Sequence, residues 1–592
     1  MTEAVASERV VSRATTTHLS ARSVALRWAV LACAVVFPYL NALQADFVFD
    51  DWIQIRGNPA IGGEFDWFKI LAVPLFPGNL YRPLTMATFA ADHAWFGWQA
   101  WWFHMVNVVL HGIVTVLVAL VGFRLFPTQP TIAWLGALLF AVHPIHTEAV
   151  TGLVGRAELL AALFGFLTML AAVRAQEQTA DGPRRAWMAL ALGSFIAALL
   201  CKESAITVLP LVFLFRIALR GEGWWLGLKR EARRLDWVAF VACASAVLVL
   251  RALAFASGDA EEAIDPVDNI LASVPGYQRV ATALAIQWDY LSQFVFPLVL
   301  SADYSYPQIR PVESALHFRT IAGCAALLLT VVWALRRGGA VGFMLLFPWV
   351  AFSITSNLLF PIGTVRGERL AYLPSVGWCW WLAALLVVTR RYVRPSVAAV
   401  AAAGLLLAYG ARTYARNFDW ADQATLFART ARDAPQSTKA HKNHAVALRD
   451  QGRLNEALAA YGRAWALYPF EEGVAFGTGE VHDRLGHVQE AEFWYKKAIE
   501  LEPRHVGSWN NLCRLLTLQG RWSEAEQACR SGLRLQAANP NLWKGLGLAW
   551  LGAQKIHEGR QALEIALRLN PNDGALREYL ETLPQTAEDR AP

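Results

Sequence analysis

Apolar residues lie in long unbroken blocks over the first two-thirds of the chain. Over the last third they recur at helical spacing among polar ones. A helix needs roughly 20 consecutive apolar residues to cross a bilayer. Eleven stretches fit that reading: 24–43, 102–124, 131–148, 154–174, 186–202, 204–220, 237–257, 320–335, 341–358, 370–389 and 395–413. A twelfth block, about 283–300, carries Gln287, Asp289, Gln293 and Pro297. Its residues alone fit either a span or an interfacial segment. The pattern predicts an all-α chain: a membrane bundle over 24–413, a connecting helix over 414–436 and a helical array over 437–581. Residues 1–23, rich in Ser, Thr and Arg, read as a disordered cytoplasmic N-terminus, and 582–592 as a tail. The block from Ala25 to Leu43 is long for a signal-peptide core and lacks a small-x-small site after it, so it reads as an uncleaved first span.

A period of 34 residues runs through the last third. Pro435, Pro469, Pro503 and Pro571 sit on it. So do Gly452, Gly486 and Gly520, then Ala457, Ala491 and Ala525, then Leu467, Leu501, Leu535 and Leu569. Several residue classes sharing one register is the mark of tetratricopeptide repeats, in which small residues let paired helices pack closely. Four repeats fit between about 437 and 572, and 573–581 starts a capping helix. Asn539–Pro540 falls three residues late, which predicts one irregular turn between repeats. Such arrays bury their core by stacking and expose a concave face, commonly used to bind peptides or proteins.

Composition supports the division. Of 592 residues 55% are hydrophobic and only 17% charged, against about 25% in soluble domains. The net charge of +6 comes from short basic loops between apolar blocks, which is a topology signal and not a nucleic-acid footprint. With the N-terminus inside, eleven spans keep Arg124, Arg174, Arg184–Arg185, Lys229–Arg234, Arg336–Arg337 and Arg390–Arg394 inside and residues 414–592 outside. A span at 283–300 would put the last two clusters outside, so charge argues against it. Of seven cysteines, five lie in or beside apolar blocks as small core residues. Cys513 and Cys529 lie in the repeats, free to pair if that region is extracytoplasmic.

This topology gathers the polar motifs at the outer face: Asp50–Asp51, Tyr81–Arg82, His143 to Glu148, Arg156, Lys202–Glu203, Asp303–Tyr304 and Arg366 to Arg369. Charges near a bilayer are costly and usually face a cavity or partner. No GxxxxGK[ST], HExxH or GxSxG is present. His143 and His146 with Glu148 resemble metal ligands, but Pro144 breaks the helix and spoils a shared face. No metal or cofactor is expected. A carboxylate pair facing cations suits transfer of a group from a lipid phosphate. The phosphate leaves without protonation, so one carboxylate suffices as base for an acceptor hydroxyl, and Arg, Lys and His stabilise the departing charge. Neighbouring aspartates in an extended loop point to opposite sides, so one reaches the reacting centre and the other binds the acceptor or holds the loop. Asp50 is the expected base.

Taken together, FVFDDWIQIRGNP, YRPLTMATF, HPIHTEAVTGLVGRAELLA, KESAITVLP, LSADYSYPQI, GERLAYLPS and the repeats after RNFDWADQATLF resemble the transmembrane and tetratricopeptide-repeat O-mannosyltransferases over about residues 25–580. That resemblance implies a membrane glycosyltransferase of the C-type fold followed by an α-solenoid. It implies transfer of a mannose-like sugar from a polyprenyl-phosphate donor to a Ser or Thr hydroxyl. The family's acidic pair carries over onto Asp50 and Asp51. Its other motifs match His143 to Glu148, Arg156, Lys202–Glu203 and Glu368–Arg369. From charge, Arg82, His143, His146, Glu148, Arg156, Lys202, Glu203, Arg366, Glu368 and Arg369 are the expected donor site. The array is short for the family, and the Ala-heavy, Trp- and Arg-rich composition points to a bacterial chain, whose donor would be an undecaprenyl-phosphate sugar. The expected place is the inner membrane, with the repeats periplasmic and a protein acceptor recruited by them. Two other readings are a non-enzymatic membrane anchor whose repeats organise envelope proteins, and a transporter of lipid-linked sugars.

Overall fold

The computed structural model describes residues 21–63, 66–72, 80–221, 223–256 and 264–583. Most of the expected disordered N-terminus and tail lie outside these residues. The chain forms two compact units. One comprises 1–264, 271–302 and 311–426, and the other 265–270, 303–310 and 427–592.

The first unit holds α1 (Ala21–Val36), α2 (Trp67–Ala72), α3 (Pro83–Phe96), α4 (Ala100–Leu125), α5 (Pro130–Val142), α6 (Thr147–Val150), α7 (Arg156–Glu177) and α8 (Asp181–Cys201). It continues with α9 (Val208–Arg220), α10 (Trp224–Ala232), α11 (Asp236–Ala256), α12 (Gly276–Val295), α13 (Phe318–Arg337), α14 (Gly339–Phe352), α15 (Ser375–Thr389) and α16 (Pro395–Asn417). Among the described residues seven helical stretches are long and apolar enough to cross a membrane: Arg22–Gln44, Ala100–Leu125, Leu153–Glu177, Asp181–Cys201, Asp236–Ala256, Phe318–Arg337 and Pro395–Trp420. Each matches a predicted span. The other four predictions fall on α5, α9, α14 and α15, of 13 to 15 residues, or about 20 Å of helix, short of the roughly 30 Å hydrocarbon core. Three of them stop short for one reason: the chain leaves the helix at a polar motif. α5 ends before His143–Pro144, α9 begins after Lys202–Glu203, and α15 begins after Glu368–Arg369. Irregular backbone within membrane depth is tolerated where it is buried in protein or lines a cavity. The broken ends of α5 and α15 meet at one end of the bundle: His146 Nε2 lies 2.7 Å from Ser375 Oγ, and the Arg369 N–H donates to Glu148 at 2.9 Å.

The second unit is the repeat array. α17 (Gln423–Asp433) leads into it across the unit boundary. The helix pairs are α18 (Thr438–Asp450) with α19 (Leu454–Leu467), α20 (Glu472–Arg484) with α21 (Val488–Leu501), α22 (Val506–Leu518) with α23 (Trp522–Leu535), and α24 (Pro540–Gly552) with α25 (Ile556–Leu569). α26 (Gly574–Thr582) closes it. First helices start at 438, 472, 506, 540 and 574, a step of 34 without exception. The irregularity predicted at Asn539–Pro540 is therefore absent from the backbone register. Pro540 takes the first helical position, where its missing N–H costs nothing, and the Asn539 side chain caps the N–H groups of Asn541 and Leu542. Between the helices of each pair one residue adopts positive φ: Gly452 (+76°), Gly486 (+78°), Gly520 (+73°) and, at the equivalent place in the fourth, Gln554 (+63°). Ion pairs tie successive repeats, Arg521 with Glu492 at 2.5 Å and Lys544 with Asp573 at 2.9 Å. Segments 265–270 and 303–310 dock on the first repeat. The Ser437 hydroxyl donates to Asp303 at 2.5 Å, Lys439 pairs with Asp268 at 2.6 Å, and Tyr306 packs edge-on to Tyr468. They cover a terminal repeat, as solenoid ends require.

Candidate active site

Asp50 and Asp51 sit in a tight turn. The Asp51 N–H donates to the Val48 carbonyl at 3.0 Å, and Phe49 is held at φ +53°. A bulky residue there is strained by about 1–3 kcal/mol. The neighbourhood must hold it, and Asp51 does: its buried carboxylate accepts the N–H of Val48 at 3.1 Å and of Val154 at 3.0 Å. Burial pushes the Asp51 carboxyl up to about 7, against the opposing pull of those two N–H groups, and the charge of Asp50 pushes the same way as burial. A single π-helical turn, Trp52–Arg56, follows; such turns cluster at functional sites. The Trp52 indole donates back to the Phe47 carbonyl at 2.8 Å, and the Arg56 guanidinium lies over Phe47, Trp52 and Trp98.

Asp50 points elsewhere. Its carboxylate, 27% exposed, accepts from Arg369 Nη1 at 3.0 Å. Arg369 also reaches Glu148, through its backbone N–H at 2.9 Å and through Nε at 3.4 Å. One guanidinium therefore bridges two carboxylates. Asp50, Asp51, Glu148 and Arg369 share a narrow recess with Gly152 and Trp420. The hairpin between α6 and α7 closes tightly at Gly155, where a Cβ would fall 2.3 Å from the Ala149 carbonyl. Beside the recess, Arg82 grips Glu203 with Nε at 3.0 Å and Nη2 at 2.6 Å, and buried Lys202 pairs with Glu158. Lys202 lies close enough to Arg369 and Glu148 to feel both charges.

The remaining expected site residues are engaged elsewhere. His143 and His146 are fully buried. His143 Nδ1 accepts the Ile145 N–H at 3.2 Å, so Nε2–H donates to the Phe294 carbonyl at 2.9 Å. His146 Nδ1–H donates to the Phe140 carbonyl at 2.9 Å. His146 thus satisfies a carbonyl of α5, His143 takes an N–H of the turn after it and ties that turn to α12, and neither lines the recess. Arg156 is likewise buried: it bonds Asp92 at 2.5 Å, Asn107 at 2.8 Å and the Phe103 carbonyl at 3.0 Å, under the ring of Phe89. It pins α3, α4 and α7 together and does not face the recess. Glu368 is buried and accepts the Ser301 N–H at 2.6 Å. Arg366 lies over Tyr290, 3.6 Å from Asp289. Three residues of the charge network went unread in the sequence. Asp92 gave no signal, because its partner lies 64 residues on. Glu158 follows Arg156 by two positions inside the quoted GRAEL run. Asn107, mid-helix, donates toward the Val150 carbonyl at 3.2 Å and holds the α6–α7 hairpin.

A model described as tetratricopeptide repeat matches residues 478–505. Human protein O-mannosyl-transferase TMTC3 is 26% identical over 91% of this chain and 63% of its own length. Mouse protein O-mannosyl-transferase TMTC4 is 29% identical over 73% of this chain and 66% of its own. Protein O-mannosyl-transferase Tmtc2 of Drosophila melanogaster is 34% identical over 50% of this chain and 33% of its own. The chain thus spans a little under two-thirds of the length of the human relative. A solved thermophilic tetratricopeptide-repeat protein of Thermus thermophilus aligns with 28% of this chain and 90% of its own, at 23% identity and a TM-score of 0.24. The chain is a membrane protein with a repeat array, and over most of its length it is a homologue of the transmembrane and tetratricopeptide-repeat O-mannosyltransferases.

Proposed function

We propose that this homologue of the O-mannosyltransferases moves a mannose-like sugar from a polyprenyl-phosphate donor to a protein hydroxyl at the extracytoplasmic face. Asp50 takes the proton of the acceptor hydroxyl as its oxygen forms a bond to the anomeric carbon. The bond from that carbon to the phosphate oxygen breaks, polyprenyl phosphate leaves, and one in-line displacement inverts the centre. The observation that carries this reading is the division of labour in the turn: Asp51 is committed to two backbone N–H groups, whereas Asp50 stays half-buried at the recess on Arg369. Arg369, Lys202 and Arg82 are the cations placed for the donor phosphate. Phosphate drawn to Arg369 would loosen its hold on Asp50 and free that carboxylate to take the acceptor proton. Glu148 would keep Arg369 in place meanwhile.

The orientation rests on two features. Arg124, Arg174, Arg220, Arg336–Arg337 and Arg390 lie at the ends of α4, α7, α9, α13 and α15 remote from the recess, which is where cytoplasmic cations belong. In the repeats, Cys513 and Cys529 form a buried disulfide between α22 and α23 with Cα atoms 5.1 Å apart; such bonds persist in oxidising compartments. The repeats would then present a polypeptide acceptor.

The test is Asp50→Asn in purified protein, assayed with polyprenyl-phosphate mannose and an acceptor peptide. Loss of a general base predicts a fall of about 10²–10⁴-fold in transfer. The melting temperature should hold, because the Asp50–Arg369 pair is part-exposed and contributes at most about 1 kcal/mol. Wild-type transfer by Asp50→Asn would remove Asp50 from this role.

A further inference from the structure

The end of the bundle remote from the recess carries a feature that sugar transfer does not use. Between Arg216 and Asp236 the chain holds six cations (Arg216, Arg220, Lys229, Arg230, Arg233, Arg234) against three carboxylates (Glu222, Glu231, Asp236). Part of this charge is locked inside. Arg216 is buried, bonds Glu231 at 3.1 Å, Asp236 at 2.9 Å and the Ala172 carbonyl at 3.1 Å, and lies against Trp237. Glu231 is also buried and takes Arg220 at 2.7 Å. The network pins α10 flat on the bundle. Trp224, Gly227 and Glu231 face inward, the Trp224 indole donates to the Ala334 carbonyl at 2.9 Å, and a Cβ on Gly227 would meet Ile217 at 2.6 Å.

The other face of α10 and the turn after it present Trp225, Leu226, Lys229, Arg230, Arg233 and Leu235, all exposed. Large apolar groups interleaved with cations mark a helix lying in a membrane interface. Directly beside it, Leu209, Pro210, Phe213 and Leu214 of α9 and Trp237 of α11 line an open, wholly apolar cleft of about 380 Å³. It lies between helices that read as membrane-embedded.

We infer that this corner holds one anionic phospholipid, its acyl chain in the α9–α11 cleft and its phosphate among the exposed Lys229, Arg230 and Arg233. Charge complementarity selects an acidic headgroup over a zwitterionic one, and a purely apolar cleft inside the bilayer selects a chain. The donor phosphate proposed above would sit near Lys202 and Arg369, about 20 Å along the 13-residue α9 from its Arg220 end, so these cations are left for a different headgroup. The inference is independent of the reaction proposed above.

The experiment reconstitutes the full chain in nanodiscs of phosphatidylcholine containing a trace of phosphatidylglycerol with a photoreactive acyl chain. A photoreactive phosphatidylcholine is run in parallel. The expected label from phosphatidylglycerol falls on peptides within 209–237 and exceeds that from phosphatidylcholine. The combined variant Lys229→Gln, Arg230→Gln, Arg233→Gln should cut it by about five-fold for each cation removed, while labelling by phosphatidylcholine stays as in wild type. These side chains are exposed, so the fold should hold. If the variant fails to fold, wild type alone decides: raising salt from about 0.1 M to about 1 M must shrink the preference, since screening shortens from about 10 Å to about 3 Å. Equal labelling by the two probes, labelled peptides elsewhere, cross-links to a second copy of the chain at this cleft, an unchanged preference in the triple variant, or a preference indifferent to salt each overturns it.

Discussion

The substitution Asp51→Asn separates charge from geometry in the turn that carries Asp50. Asp51 is 2% exposed, and its folded pKa of about 7 stands above the ordinary 3.8. A carboxyl raised on folding favours the native state when protonated, so its stability contribution is greatest below pH 3.8. It declines as pH rises toward 7 and is lost above. Integrated between the two pKa values, the penalty for the native state is about 2 kcal/mol at pH 5 and about 4 kcal/mol at pH 8. Asparagine carries no such term. It keeps one acceptor oxygen for Val48 or Val154 and sets an N–H against the other, at a pH-independent cost of about 1–3 kcal/mol. Asp51→Asn is thus expected to be comparable in stability to wild type at pH 5 and more stable by about 1–3 kcal/mol at pH 8, the difference moving by about 2–3 kcal/mol. Thermal unfolding of the detergent-solubilised pair at both pH values reads this directly. A gap that stays constant with pH would show that Asp51 does not titrate in that window, and the account of the turn would fail. Sugar transfer by the variant should fall but survive, because Asp50 remains.

Other perturbations test separate parts of the fold. Gln554→Gly removes a side chain from a φ of +63° where three equivalent positions are glycine; hydrogen exchange in α24 and α25 should slow by about five-fold, corresponding to about 1 kcal/mol. Arg156→Leu strands the buried Asp92 carboxylate and should cost about 3–5 kcal/mol in melting experiments, whereas the double substitution with Asp92→Leu should recover most of it. Glu203→Gln takes the counter-charge off Arg82, which Glu203 now holds at 2.6 Å, so the KM for a polyprenyl-phosphate donor should fall by about ten-fold with kcat little changed; an unchanged KM would exclude Arg82 from the phosphate site.

The repeat half was legible in the sequence because every unit restates the same positions: four residue classes on one 34-residue step fix helix starts without any knowledge of contacts. The one misreading came from weighting Pro540 as a unit terminator. It opens a helix that Asn539 caps, and the step never slips. In the membrane half, hydropathy found the long helices but ran through Pro144 at the end of α5, because Ala141, Val142, Ile145, Ala149 and Val150 kept the window apolar. Proline alone does not decide such cases: Pro348 sits within α14 without ending it. What steadies the end of α5 is His146 on the Phe140 carbonyl and His143 on the N–H of Ile145, and a sequence does not say which backbone groups will be left open.

The same limit explains why some of the expected residues lie at the recess and others in the core. A polar residue beside a membrane has two uses, to face a cavity or to repair the backbone around one, and composition is identical for both. Asp50 and Asp51 are adjacent and chemically equal and both line the recess, yet in the turn held by the positive φ at Phe49 one meets Arg369 and the other is taken by the N–H groups of Val48 and Val154. Arg156 and Arg369 both follow a glycine closely in their motifs, yet one meets Asp92 in the core and the other bridges Asp50 and Glu148 at the recess rim. The cations nearest the recess follow a common rule: Arg82, Lys202 and Arg369 each rest on a carboxylate. On the proposed function a recess so balanced would bind the donor phosphate only by exchange, which would tie donor arrival to the release of Asp50 and make the carboxylate partners, as much as the cations, determinants of donor affinity.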